Sequence, residues 1–157
     1  MAKPIAPCLW FDNNAEEAAN FYCSIFENSE IVAIDRYTEL GPGPEGSVMF
    51  IEFTLNGQDF QAINGGPEFQ FTSAISFSII CGDQKEVDYY WEKLLDGGQP
   101  LQCGWLTDKF GVSWQIVPSV LNELFRDSDQ VKANNVMKAM LQMVKLDVAK
   151  LQEAHDG

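Results

Sequence analysis

Few side chains in this sequence could support nucleophilic, redox or metal chemistry by themselves. The only histidine, His155, lies near the end of the chain, where residues are seldom held as rigidly as a catalytic base must be. We therefore expect a structural or surface role for it. The cysteines are far apart and form no CxxC pair, so we expect four reduced thiols rather than a metal or redox site. They are Cys8, Cys23, Cys81 and Cys103.

The segment Gly41 to Gly46 has the GxGxxG spacing of phosphate-binding loops. Such loops point backbone N–H groups at an anion just before a helix. Pro42 and Pro44 have no N–H group to offer, and the segment leads into a predicted strand. We interpret it as a hairpin loop rather than a nucleotide site.

Two glutamines stand at matching places in two similar strand endings, Phe-Gln-Ala-Ile at 60–63 and Trp-Gln-Ile-Val at 114–117. If Gln115 faces a cavity, strand alternation places Ser113 on the same face and sends Trp114 toward the helices. Such amides fix the orientation of a small molecule, or they satisfy each other and nearby backbone groups.

The elements that would position these glutamines occur twice in the same order. Asn14 with Glu17 resembles a capping box, Asn56-Gly57 indicates a hairpin, and Asp83 with Glu86 caps a second helix. Strand, helix and three strands, repeated once, predict two halves that need not bury their sheets alone. The predicted strands are 5–11, 30–37, 47–55, 58–63, 73–81, 100–107 and 112–117, and the predicted helices are 15–26 and 83–95.

Three further helices are predicted at 119–125, 128–143 and 147–154. The middle helix carries an apolar stripe at helical spacing, which favours packing on the domain or on a dimer partner. The stripe consists of Val136, Met137, Met140, Leu141 and Val144.

Alternation also divides the first strand of each half into two faces. In the second half Ser76 and Ser78 share a face that we expect to line the cavity, while the opposite, apolar face packs on helix 83–95. In the first half either Cys8 and Trp10 or Pro7 and Leu9 face the cavity. Periodicity does not decide, and we favour Cys8 and Trp10.

The overall charge excludes some partners. Ten Lys and Arg against 23 Asp and Glu give a net charge of −13, which repels nucleic acid and anionic membranes. No apolar run approaches the roughly 18 residues of a membrane span, and no leader is present, so we expect a soluble, cytoplasmic protein.

A resemblance rests on seven segments, namely residues 7–12, 21–22, 41–46, 64–67, 74–77, 103–105 and 108–115. Together they resemble the PhnB-like family, which carries the label 3-demethylubiquinone-9 3-methyltransferase domain and belongs to the vicinal-oxygen-chelate (glyoxalase/bleomycin-resistance) superfamily. The resemblance covers nearly the whole chain. It implies an α+β fold of tandem βαβββ modules that form a curved mixed sheet around a cavity. Residues 1–118 would form this domain, in halves of about 3–67 and 72–118, and 119–157 a C-terminal helical extension.

In metal-using members of the superfamily, ligands come from the first and last strands of each half. The resemblance transfers the late positions to Gln61 and Gln115, the early position of the second half to the vicinity of Ser76, and that of the first half to Pro7 or Cys8. Neutral amides and a hydroxyl are weak ligands for zinc or transition metals, so we predict neither a metal nor another cofactor.

The resulting hypothesis is a homodimeric protein that binds a small organic molecule in the cavity between its halves. The alternatives are a metal-assisted lyase, isomerase or dioxygenase, a structural or interaction dimer, and the methyltransferase of the family label. We disfavour the methyltransferase because the sequence offers no S-adenosylmethionine site. The predicted cavity residues are Cys8, Trp10, Gln61, Ser76, Ser78, Trp105, Ser113 and Gln115.

Overall fold

A computed structural model describes residues 1–157. The chain forms two compact units, Met1–Phe71 and Thr72–Gly157. Each unit contains one βαβββ module with an open, four-stranded mixed sheet, and the second unit also contains the three C-terminal helices. The predicted repeat of strand, helix and three strands is therefore confirmed.

The first unit orders its strands β1-β4-β3-β2, with β1 parallel to β4 and the other neighbours antiparallel. Asn56 and Gly57 both have positive φ, 50° and 78°, as a two-residue type I′ hairpin requires, so the predicted hairpin is confirmed. The elements are β1 Cys8–Phe11, α1 Ala15–Ile25, β2 Glu30–Arg36, β3 Val48–Leu55 and β4 Gln58–Asn64.

Helix α1 covers one face of this sheet. Its alanines are fully buried and allow the helix to approach the strands closely, while Tyr22 fills the space beside them. The sheet side of the core includes Leu9, Phe11, Ile51, Phe53, Leu55, Phe60 and Ala62.

The start of α1 differs from the prediction. Asn14 stands at the N-cap position, but its side chain accepts no capping hydrogen bond. Instead Asn64, at the end of β4, accepts a bond from the Ala15 N–H through Oδ1 (2.9 Å), and its Nδ2 donates to the Val48 carbonyl (3.1 Å). The predicted capping box is wrong because a residue 49 positions away satisfies the helix end.

The second unit repeats the topology with strand order β5-β8-β7-β6 and β5 parallel to β8. The predicted cap of its helix is confirmed, since the Asp83 side chain accepts from the Glu86 N–H at 2.9 Å. The elements are β5 Ser76–Cys81, α2 Gln84–Leu95, β6 Gln99–Pro100, β7 Trp105–Thr107 and β8 Ser113–Pro118.

The continuous strand predicted at 100–107 is wrong. Cys103 and Gly104 have φ of 61° and 82°, which breaks the segment into β6 and β7 joined by a tight turn. The N–H groups of this turn donate to the carbonyls of Met143 and Val144, at 2.9 and 2.7 Å. The chain after the second tail helix thus fixes the turn, a contact that no local pattern reveals.

The tail forms α3 Ser119–Phe125, α4 Gln130–Leu141 and α5 Val148–Asp156. A buried cluster joins them, consisting of Leu121, Leu124, Val136, Leu146 and Leu151. Only part of the predicted apolar stripe is buried. Val136 is fully buried and Met140 packs against the cluster, whereas Met137, Leu141 and Val144 are 42%, 54% and 40% exposed. We call these three residues the α4 stripe, although Val144 lies three residues beyond the end of the helix. The longest helices, α2 and α4, have 12 residues each, and none of the helices could span a bilayer.

Candidate functional site

The sheet of the first unit has a second face, opposite α1. Three polar side chains form a row across this face, namely Cys8, Gln61 and Glu52. Cys8 pairs with Gln61 across the parallel ladder, and Gln61 pairs with Glu52 across the antiparallel one. Directly paired residues share a face and lie about 5 Å apart. A thiol, an amide and a carboxylate therefore stand side by side. Trp10 lies on the same face, and Leu9 is buried on the α1 side.

The side chains of this row differ in what they can still bind. Gln61 is half-buried, and its amide makes no hydrogen bond within the chain, so its donor and acceptor groups are free. Desolvation raises the pKa of the Cys8 thiol, which keeps it protonated and a poor nucleophile at neutral pH. The indole N–H of Trp10 is already used, because it donates to the Gly66 carbonyl at 3.0 Å. Phe69 packs against the ring of Trp10, with ring centroids 5.0 Å apart, and Gly65 lies against it, so only the remaining ring surface is left for a ligand.

The second unit has an equivalent row of side chains, formed by Ser78, Gln115 and Trp105. Ser78 pairs with Gln115, and Gln115 pairs with Trp105. The amide of Gln115 donates from Nε2 to Ser76 Oγ at 2.9 Å, which orients the side chain and leaves its carbonyl oxygen as a free acceptor. The opposite face holds the buried Trp114 and Ile116, toward α2.

Strand β8, which carries Gln115, is anchored at its beginning by a buried carboxylate. Asp108 accepts from the Val112 N–H through Oδ1 and from the Trp114 indole through Oδ2, at 3.1 and 2.9 Å. Ser113, a predicted cavity residue, is only 1% exposed, and its hydroxyl bonds that of Ser73 at 2.9 Å. The structure therefore uses Ser113 within the unit and gives it little surface to offer a ligand.

The two rows are equivalent in the repeat, with Cys8 matching Ser78 and Gln61 matching Gln115. The sequence prediction placed the early position of the second half near Ser76, whereas the residue that pairs with Gln115, as Cys8 pairs with Gln61, is Ser78, two residues further along. Glu52 was not predicted from the sequence as a site residue. Glu52 pairs with Gln61 as Trp105 pairs with Gln115, so the two residues are equivalent in the repeat. The signal for Glu52 was a single charge within the apolar strand Val48–Leu55, but only the register with β4 brings it beside Gln61.

These side chains do not fit a resident divalent metal. No group of three or more His, Cys, Asp or Glu side chains in the chain could hold an ion. The first-unit row offers one carboxylate, an amide and a protonated thiol, and the second-unit row only an amide and hydroxyls, which bind zinc or transition metals weakly.

His155 is held more firmly than expected for a chain end. Its Nδ1 lies 3.1 Å from Asp156 Oδ1, and its Nε2 lies 2.7 Å from Asp127 Oδ2. Hydrogen bonds to Asp156 and Asp127 raise the pKa of the imidazole. The histidine thus ties α5 to the loop between α3 and α4, a structural role.

The βαβββ repeat produces two open mixed sheets of the same topology, and each sheet has one polar face. This architecture defines a protein of the glyoxalase/bleomycin-resistance fold class, as predicted. The sequence model of the family described as 3-demethylubiquinone-9 3-methyltransferase matches residues 3–117. The chain belongs to this PhnB-like family.

Solved structures agree with this. The PhnB protein of Bacillus cereus is 44% identical, and the match covers 74% of this chain and 99% of that one with a TM-score of 0.68. A Pseudomonas aeruginosa protein is 20% identical over 74% and 98% of the two chains, with a TM-score of 0.63. The fosfomycin resistance protein FosX of Listeria monocytogenes, solved with Mn(II) and sulfate, is 17% identical over 80% and 97%, with a TM-score of 0.53. The last two show the fold alone. No functionally curated protein matches the sequence.

Proposed function

We propose that this protein binds a small, partly aromatic organic molecule through the polar faces of its sheets and without a resident metal. The observation that carries the proposal is the free amide of Gln61, flanked by Cys8 and Glu52 on the face that no helix of its unit covers. A half-buried amide without a partner in its own chain is suited to a ligand that supplies both a donor and an acceptor.

The chemistry of the two rows indicates what such a ligand should carry. Glu52 accepts hydrogen bonds only, Gln61 can donate and accept, and the carbonyl of Gln115 accepts. The rings of Trp10 and Trp105 add apolar area beside these groups, which suits an aromatic or conjugated body. The cavity expected between the halves stays a prediction.

Methyl transfer is not part of the proposal, although the family description names it. S-adenosylmethionine sites commonly use a Gly-rich turn on a doubly wound parallel sheet. Each sheet here has one parallel pair, and the turn from β1 to α1, Asp12-Asn13-Asn14, contains no glycine. A metal-assisted reaction is disfavoured because the donor set does not fit a metal.

Thermal-shift screening against aromatic metabolites, quinones, antibiotics and divalent metal ions tests the proposal, because a ligand that binds only the folded state raises Tm. We expect an organic hit whose shift is lost in both Gln61→Leu and Gln115→Leu. Gln58→Leu, on the same strand as Gln61 but outside the row, and Gln102→Leu should keep the shift. A hit that binds both row variants unchanged, or hits among the metal ions only, would contradict the proposal.

A further inference from the structure

The first unit contains a cavity away from the polar row. Its volume is about 530 Å³, and it lies where the loop after β1, the loop between β2 and β3 and the turn after β4 meet. The segment with GxGxxG spacing supplies one wall through Pro42, Gly43 and Pro44. The loop therefore helps to form a cavity, although it precedes a strand and not a helix.

The walls of this cavity are held in place by hydrogen bonds and ring packing. The Tyr37 hydroxyl donates to the Asn64 carbonyl at 2.6 Å, and the Ser47 hydroxyl donates to the Pro44 carbonyl at 2.6 Å. Gly41 and Gly43 lie against opposite edges of the Tyr37 ring, so closely that a Cβ at either position would overlap it. The cavity is thus a built feature of the unit rather than a gap between mobile loops.

The charged groups of the cavity are not neutralised by one another. Asp12 and Glu16 contribute two carboxylates, and Arg36 contributes one guanidinium. No salt bridge joins Arg36 to either carboxylate, and its one hydrogen bond goes to the Gly46 carbonyl at 3.2 Å. A ligand complementary to this set carries two positive groups and one negative group. Tyr37 and the two prolines offer an apolar wall for an alkyl chain between them.

We propose that this cavity binds a small basic amino acid, with its two cationic groups at Asp12 and Glu16 and its carboxylate at Arg36. The free amino acid lysine has this charge pattern on a four-carbon stem, and the cavity volume exceeds that of one such molecule. The net charge of −13 also favours the approach of a ligand that is positive overall.

Protein-detected NMR titration tests this, with lysine, norleucine and cadaverine as probes. Norleucine lacks the side-chain cation, and cadaverine lacks the carboxylate. We expect lysine to bind most tightly and to shift the amide signals of Gly43, Gly65 and Gly66, which line the cavity. Arg36→Gln should weaken lysine binding about 5-fold or more while leaving cadaverine binding unchanged or tighter.

The matched controls are Glu17→Gln and Arg126→Gln, whose side chains lie outside the cavity, and both should bind lysine like the parent protein. Glu16→Gln should weaken lysine and cadaverine alike. If cadaverine binds as tightly as lysine, if Arg36→Gln has no effect, or if the cavity glycines do not shift at saturating millimolar lysine, the proposal is wrong. None of these outcomes depends on a ligand at Gln61 or Gln115.

Discussion

Replacing Asn64 by alanine should destabilise the protein far more than the same replacement at Asn14. Asn64→Ala removes the acceptor of the Ala15 N–H and the donor to the Val48 carbonyl. Loss of a helix cap costs about 1 kcal/mol, and loss of a further half-buried hydrogen bond costs about 1 kcal/mol. The expected loss is therefore about 2 kcal/mol, or a decrease in Tm of roughly 4–8 °C for a chain of this size.

Asn14→Ala is the matched control, because Asn14 occupies the N-cap position without making a capping bond. Its effect should stay within about 0.5 kcal/mol. Urea denaturation measures both, and the midpoint should shift while the m-value stays constant. Asn64→Asp keeps the acceptor but loses the donor, so its stability should lie between those of the parent and Asn64→Ala. Equal losses in Asn14→Ala and Asn64→Ala would refute the capping role of Asn64.

Three further predictions follow from other contacts. Gly65→Ala should lower the free energy of unfolding by about 1–3 kcal/mol, because the added methyl group overlaps the Trp10 indole. Urea denaturation measures this, and an unchanged midpoint would contradict the prediction by showing that the indole can move. The pKa of His155 is raised in the folded state by its bonds to Asp156 and Asp127. These bonds therefore stabilise the fold fully below the unfolded-state pKa of about 6.5, and their contribution is lost as the pH rises through the folded-state pKa. The stability deficit of His155→Gln should therefore be largest near pH 6 and shrink in alkaline solution; a deficit independent of pH would contradict this. We also expect the exposed α4 stripe to support a homodimer, so a light-scattering mass of 17.6 kDa at micromolar concentration would contradict that prediction.

The sequence predicted most of the fold because its signals are local. Asn56-Gly57 can form the type I′ turn, and Asp83 can cap the following helix, without help from distant residues. The cap of α1 could not be read in this way. The sequence predicted a cap at Asn14 because that residue directly precedes the helix, whereas only the pairing of Phe11 with Asn64 in the sheet brings Asn64 to the helix end.

The candidate site was predicted less completely, for the same physical reason. Alternation along one strand separates Gln61 from Ala62, but it does not say which residue of a neighbouring strand lies beside Gln61. The register supplies Glu52 on one side and Cys8 on the other. Alternation also could not indicate that the Ser113 hydroxyl forms a hydrogen bond with the Ser73 hydroxyl of its own unit.

The measurement that tests the central claim most directly is a binding isotherm of an organic ligand with the parent protein and with the Gln61→Leu/Gln115→Leu variant, both in the presence of EDTA. We predict that the parent protein binds with unchanged affinity when metals are removed. The double variant should fold with a similar Tm and lose about 10-fold or more in affinity. Binding that disappears with EDTA, or that survives unchanged in the double variant, would contradict a metal-independent site at these glutamines.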